Sequence, residues 1–177
     1  MPLYGVRATD ELLEHAATMD GLDTQPVELP GAEVLQVMFE IDDRSLQSLL
    51  PPALHPTIPP SVTFVFWRCP EGPLGSFQMA QVRAGCRAGV RPRGLPLATW
   101  CDSEQAAEAL RRRWGFNCRP GEVRLKRNYD RIAGTVTEAG RTVLRVSLID
   151  PQAISGGDVQ YVANMNLALV PREGGVQ

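Results

Sequence analysis

Residues 111–121 read RRRWGFNCRPG and place a thiol, Cys118, between Asn117 and Arg119 in a turn bounded by Gly and Pro. Arg119 beside it, in a turn after a helix, is a cationic neighbour of the kind that lowers a thiol pKa, so Cys118 is a candidate nucleophile or acid/base. Asn117 is a candidate donor to a substrate carbonyl and Arg119 a candidate substrate-binding cation. The alternative for Cys118 is a small buried apolar residue, the usual state of a free cysteine. A second set lies on GSFQMAQVRA (75–84), where strict alternation puts Phe77, Met79, Gln81 and Arg83 on one face. Gln81 is a second candidate carbonyl donor. Arg83 on an inward face would need a partner or an anionic ligand, because an unpaired buried charge is costly; on an outward face it is simply solvated. Trp67 and Trp114 are candidate aromatic walls or ordinary core.

The chemistry available is narrow. The chain has 17 Arg and one Lys, Lys126, so any amine mechanism has a single candidate. Two histidines, His15 and His55, stand far apart and make neither a metal pair nor a triad. No glycine-rich phosphate loop, nucleophile elbow or Cys-x-x-Cys is present. Cys69, Cys86, Cys101 and Cys118 lack zinc or redox spacing and read as reduced thiols of a cytoplasmic protein. No metal and no cofactor is expected. The net charge of -2 and the short RRR triplet argue against a nucleic-acid surface. No eighteen-residue apolar run exists, so no membrane span is expected, and the N-terminus does not read as a secretory signal.

These residues must be positioned by strands. A helix is expected over TDELLEHAATMDG with Thr9 as its cap. A second follows Asp42, and a third is SEQAAEALRRRW, with a capping box of Asp102 and Gln105 and a stop at Gly115. Strands are expected at 33–41, 61–68, 75–84, 95–101, 122–127, 131–138, 141–149 and 160–170. In EVRLKRN, Lys126 shares a face with Arg124 opposite Val123 and Leu125, which turns it to solvent. Asn164 and Asn166 share one face of the last strand, toward a ligand or toward solvent. The expected fold is α+β, mostly antiparallel β, a curled or closed barrel or cone with a few outer helices. A single domain spans 1–177, with an N-terminal helix and loop at 1–32, the core at 33–171 and a frayed tail at 172–177.

The order of LLPPALHPTIPPSVTFVFW, GPLGSFQMAQ, a strand ending WCD, ALRRRWGFNCRPGEVRL, IAGTV and NLALVP resembles the acetoacetate decarboxylase-like superfamily over residues 33–171. That resemblance implies a β-barrel or cone with helices outside. It also implies imine chemistry on the first Lys of a Pro-Lys-Lys turn, a lysine whose pKa is held down by burial and a second Lys. Aligned through WGF, Pro-Lys-Lys falls on Asn117, Cys118 and Arg119. The family's strand Glu falls on Met79, a second acidic position on Val65, and a substrate-binding Arg near Ala32.

A thiol cannot form the iminium that accepts the electrons of decarboxylation. The sequence therefore leads to a non-decarboxylating, cofactor-independent enzyme, a cyclase, isomerase or dehydratase. Its expected cavity is lined by Trp67, Phe77, Met79, Gln81, Arg83, Trp114, Asn117 and Cys118 and takes a small apolar organic substrate. The Arg-for-Lys bias is that of a GC-rich genome, where a polyketide-like natural-product intermediate fits. The alternative is a non-catalytic binding or accessory protein of a biosynthetic pathway. The resemblance also implies a homo-oligomer, with a dimer expected.

Overall fold

The computed structural model describes residues 3–22, 25–152, 155, 157, 161–172 and 175–176. In chain order the elements are α1 (Thr9–Leu13), β1 (Ala17–Thr18), β2 (Glu33–Glu40), α2 (Asp43–Leu49), β3 (His55–Pro56), β4 (Ser61–Cys69) and β5 (Phe77–Ala88). Then come β6 (Arg91–Cys101), α3 (Glu104–Trp114), β7 (Cys118–Pro120), β8 (Glu122–Arg127), β9 (Arg131–Glu138) and β10 (Arg141–Ile149). Three short pieces follow, β11 (Ala168–Leu169), β12 (Pro171–Arg172) and β13 (Gly175–Val176).

A six-stranded sheet runs β2-β4-β5-β6-β7, with β3 alongside β5. Its pairs are antiparallel except β6–β7, which is parallel because α3 carries the chain back between them. A three-stranded antiparallel meander, β10-β9-β8, makes the second large sheet. The sheets stay open, which corrects the expected closed barrel: among the described residues β2 pairs only with β4, and β10 only with β9. The mostly antiparallel character and the few helices are as expected.

Alternation sends each face of the large sheet to a different neighbour. One face, with Leu35, Phe66, Ala80 and Trp100, packs on Val123, Leu125, Val136 and Val146 of the small sheet. Close approach requires Gly134 on β9: a Cβ there would sit 2.7 Å from the Phe66 ring. At one end of the opposite face, Cys69, Phe77, Met79, Cys101 and Cys118 pack on Ala106 and Leu110 of α3. A third cluster joins Leu46 and Leu50 of α2 to Ala84, Cys86 and Leu95.

Several local expectations change. Helix α1 has five residues and no side-chain cap, so Thr9 begins it rather than capping it. Its expected continuation is strand instead, with Ala17 and Thr18 pairing in parallel with Ala168 and Leu169. Helix α3 is capped by Ser103, whose hydroxyl accepts from Ala106 N at 3.3 Å. Asp102 is drawn away from the capping box because its Oδ1 accepts from Gln78 N at 2.6 Å. Strands β5 and β6 form one long hairpin that turns at Gly89, φ 76°, four residues earlier in β6 than expected. The expected strand 160–170 reduces to a bridge at Asn164 and the pair Ala168–Leu169, while residue 160 lies outside the described residues. In the tail, residues 173, 174 and 177 lie outside the described residues, and β12 pairs antiparallel with β13.

Candidate functional site

The turn that carries Cys118 is itself a strand. Cys118 pairs in parallel with Thr99, and Gly115 at φ 69° ends α3 in the left-handed conformation that aims the chain back along β6. Register then fixes what shares the face with Cys118. Thr63, Val65, Trp67 and Cys69 of β4 lie opposite Arg83, Gln81, Met79 and Phe77 of β5, and Gln81 and Met79 lie opposite Thr99 and Cys101 of β6. Thus Trp67, Phe77, Met79, Gln81, Arg83 and Cys118, singled out in the sequence, share one sheet face. So does Val65, which is fully buried.

The face has an apolar end and a polar end. At the apolar end Cys118 is buried, and desolvation, helped by Cys101 and opposed by Arg111, pushes its thiol up to about 12. Cys69 is pushed up to about 11, and burial raises Cys101 as well. These thiols are protonated at neutral pH, which corrects the expectation that Arg119 activates Cys118. Arg119 is exposed and faces away from the thiol, in a strand where successive side chains alternate.

At the polar end Gln81 and Arg83 are 0% and 2% exposed. Gln81 Oε1 accepts from Arg83 Nε at 2.9 Å and Nη2 at 2.5 Å, and from Asn164 Nδ2 at 3.2 Å, while its Nε2 donates to Thr99 Oγ1 at 3.1 Å. Arg83 Nη1 donates to the Val162 carbonyl at 3.2 Å, and its guanidinium lies 5.9 Å from the Tyr161 ring centre. Among the described residues no carboxylate pairs with Arg83, and desolvation lowers its pKa. Two buried groups at this end lack partners among the described residues, Trp67 Nε1 and Asn164 Oδ1. The Trp67 ring meets Tyr161 edge-on, with centres 6.4 Å apart. The segment 161–165 is docked by Gly94, whose N donates to the Ala163 carbonyl and whose carbonyl accepts from Met165 N, both at 2.9 Å.

The remaining candidates lie elsewhere. The Asn117 side chain is exposed and donates to the His15 carbonyl, and Asn117 and Arg119 line a shallow cleft with Glu11, His15 and Asn166. Trp114 packs beside the α3 cluster, with Arg113 4.5 Å over its ring. Asn166 turns inward and donates to the Trp114 carbonyl at 2.8 Å. Lys126 is exposed on the small sheet, opposite to the buried Val123 and Leu125. Among the described residues no group of His, Cys, Asp and Glu is placed to hold a metal, and no helix is long and apolar enough to cross a membrane. Thr63 and Thr99 were missed. Their signal was a hydroxyl on alternate positions of apolar strands, Ser61-x-Thr63 in β4 and Thr99 beside Trp100 in β6.

A family model described as acetoacetate decarboxylase (ADC) matches residues 16–175. The chain belongs to the ADC family. The ADC fold recurs in solved structures. An acetoacetate decarboxylase from Legionella pneumophila is 21% identical with a TM-score of 0.64, covering 71% of this chain and 50% of that one. An acetoacetate decarboxylase-like enzyme from Sphingomonas wittichii RW1 is 20% identical with a TM-score of 0.59, covering 78% and 61%. The enduracididine biosynthesis enzyme MppR, complexed with the condensation product of pyruvate and imidazole 4-carboxaldehyde, is 19% identical with a TM-score of 0.59, covering 80% and 63%. This ADC-family chain therefore spans between half and two thirds of the length of those proteins. No curated protein matches it.

Proposed function

We propose that this protein is an ADC-fold enzyme that works without an imine, catalysing isomerisation, cyclisation or dehydration of a small, largely apolar carbonyl compound with no loss of carbon dioxide. The observation that carries the reading is Cys118. The position where the family resemblance puts the imine-forming lysine holds a buried thiol with its pKa pushed up to about 12, and Lys126 is exposed on the other sheet. An MppR-like role in a biosynthetic pathway is consistent with this, since that relative is named as a biosynthesis enzyme.

In this reading the neutral Cys118, which with Cys101 borders a hollow beside α3, is the apolar contact, backed by the packed Met79 and Phe77. The two unpartnered polar atoms suit a substrate with both an acceptor and a donor. Trp67 Nε1 donates to a carbonyl oxygen, and Asn164 Oδ1 accepts from a hydroxyl or enol. Gln81 acts through Asn164 and Arg83 as a positioning residue. Rate enhancement comes from holding the substrate in a reactive shape and from two fixed hydrogen bonds. The test is incubation with apolar 1,3-dicarbonyl and β-hydroxyketone compounds, read by mass spectrometry. A product of unchanged mass, or one lacking water, is expected, with a lower rate in Trp67→Phe. Release of carbon dioxide, or a borohydride-trapped adduct on Lys126, would overturn the reading.

One observation favours a second reading, ligand binding without turnover. Gln81, Arg83, Thr99 and Asn164 close on each other, leaving no acid/base pair among the described residues at the polar end. Saturable binding with the ligand recovered unchanged would decide for it.

A further inference from the structure

Beyond Arg83 toward β2, the same sheet face contains a hollow made by two glycines. Gly85 and Gly94 are directly paired across β5 and β6. A Cβ on Gly85 would come within 2.4 Å of Thr57 Oγ1 and 2.7 Å of Ser61 Oγ, and a Cβ on Gly94 within 3.0 Å of Arg83 Cδ. Without those two methyl groups a small cavity of about 20 Å³ opens, lined by Thr57, Ser61, Thr63, Arg83, Arg93 and Gln36 among others. It is about large enough for one water-sized body. None of the described lining residues is acidic.

The Thr57, Ser61 and Thr63 hydroxyls and the Arg83 guanidinium on this hollow all carry O–H or N–H donors. Thr57 Oγ1 and Ser61 Oγ bond each other at 3.1 Å, so one of their two protons is used between them and the other is free. The Thr63 side chain, 7% exposed and directly opposite Arg83 in register, adds a hydroxyl to the lining. Arg83 has five N–H groups. Two reach Gln81 and one reaches the Val162 carbonyl, while the Tyr161 ring lies 5.9 Å from the guanidinium carbon, so donors remain beyond these three bonds. A buried cation with no carboxylate partner among the described residues, beside three hydroxyls around a small hollow, forms an arrangement that an anion completes.

We propose that this hollow is a site for a small singly charged anion, either a halide or the carboxylate group of a ligand, held by the Arg83 guanidinium, the Thr63 hydroxyl and the Thr57–Ser61 pair. The site stands on different residues from the Cys118 end and does not depend on which reaction occurs there.

The test uses the full chain in sodium bromide, sodium formate or, as a bulky control of equal ionic strength, sodium gluconate. Bromide or formate should raise the unfolding midpoint saturably by about 2–4 °C over gluconate. A response to bromide alone marks a halide site, and one to formate alone marks a carboxylate site. Crystals in bromide should show an anomalous peak within hydrogen-bond reach of Thr63 Oγ1 and Arg83. The Thr63→Val variant keeps the branched shape and should lose the midpoint shift. Arg83→Met should lose it too where it folds. No anomalous peak together with equal midpoints in all three salts, or an undiminished shift in Thr63→Val, would dismiss the site.

Discussion

Arg83 is bound to Gln81 through two donors on one amide oxygen, Nε at 2.9 Å and Nη2 at 2.5 Å, so a neutral side chain two residues away holds a buried guanidinium. Strand periodicity makes this possible, since residues i and i+2 share a face. The bonds to Arg83 and Asn164 make Gln81 the hub of the polar end.

Removing that hub should be expensive. Gln81→Leu strips the guanidinium of its main acceptor, and breaking one partner of a buried charge costs about 3–5 kcal/mol. Gln81→Glu supplies a carboxylate in the same place and should retain at least about 1 kcal/mol more stability than the Leu variant. Urea unfolding of the three proteins at neutral pH measures both. Equal midpoints for Leu and wild type would show that Arg83 has no need of Gln81.

The thiols set an alkaline limit. Cys118 is pushed up to about 12, and Cys69 and Cys86 to about 11, from the ordinary value of 9.0. A pKa raised by folding stabilises the protein below the unfolded value, and that contribution is lost as pH climbs through the folded one. Unfolding free energy should therefore be insensitive to these groups below about pH 8 and decline from about pH 9 toward pH 11–12. Cys118→Ala should flatten part of that decline.

The same burial predicts chemical silence. At pH 8 in the native protein, Cys118 should resist a thiol-alkylating reagent, and it should react readily in urea. Peptide mapping after a timed exposure reads this directly. Rapid native alkylation of Cys118 would restore it as a nucleophile.

Restoring the amine tests the family equivalence of position 118. The Cys118→Lys variant, incubated with pyruvate and borohydride, should carry an adduct at residue 118, whereas wild type should carry none. A buried, unpaired lysine has a depressed pKa, so some loss of stability is expected alongside. If the folded variant forms no adduct, residue 118 does not face the family's reaction space.

Contact between the two sheets rests on a missing methyl. Gly134→Ala drives a Cβ to 2.7 Å from the Phe66 ring, and overpacking of this kind costs about 1–3 kcal/mol. Thermal unfolding should show the loss, and Phe66→Leu in the same chain should recover part of it by making room.

Local pattern determined a good deal. Alternation in 75–84 put Phe77, Met79, Gln81 and Arg83 on one face, and alternation in 122–127 turned Lys126 outward, because side-chain direction in a strand is a property of neighbouring residues alone. The order of motifs reached the family, and the resemblance set Cys118, as an expectation, at the place of that family's lysine. Only the tertiary structure decided what those faces meet. Asn164, Val162 and Tyr161 approach Gln81 and Arg83 from about eighty residues away, through a backbone bridge to Gly94 that no periodicity announces. Asn117 and Cys118, adjacent in sequence, part to exposed and buried sides because the strand paired with β6 begins at Cys118, where the glycine and proline indicate an open turn. The Cys118 pKa, the opening of the barrel and the hollow between Gly85 and Gly94 all depend on desolvation and packing, which are sums over the neighbours that the fold assembles.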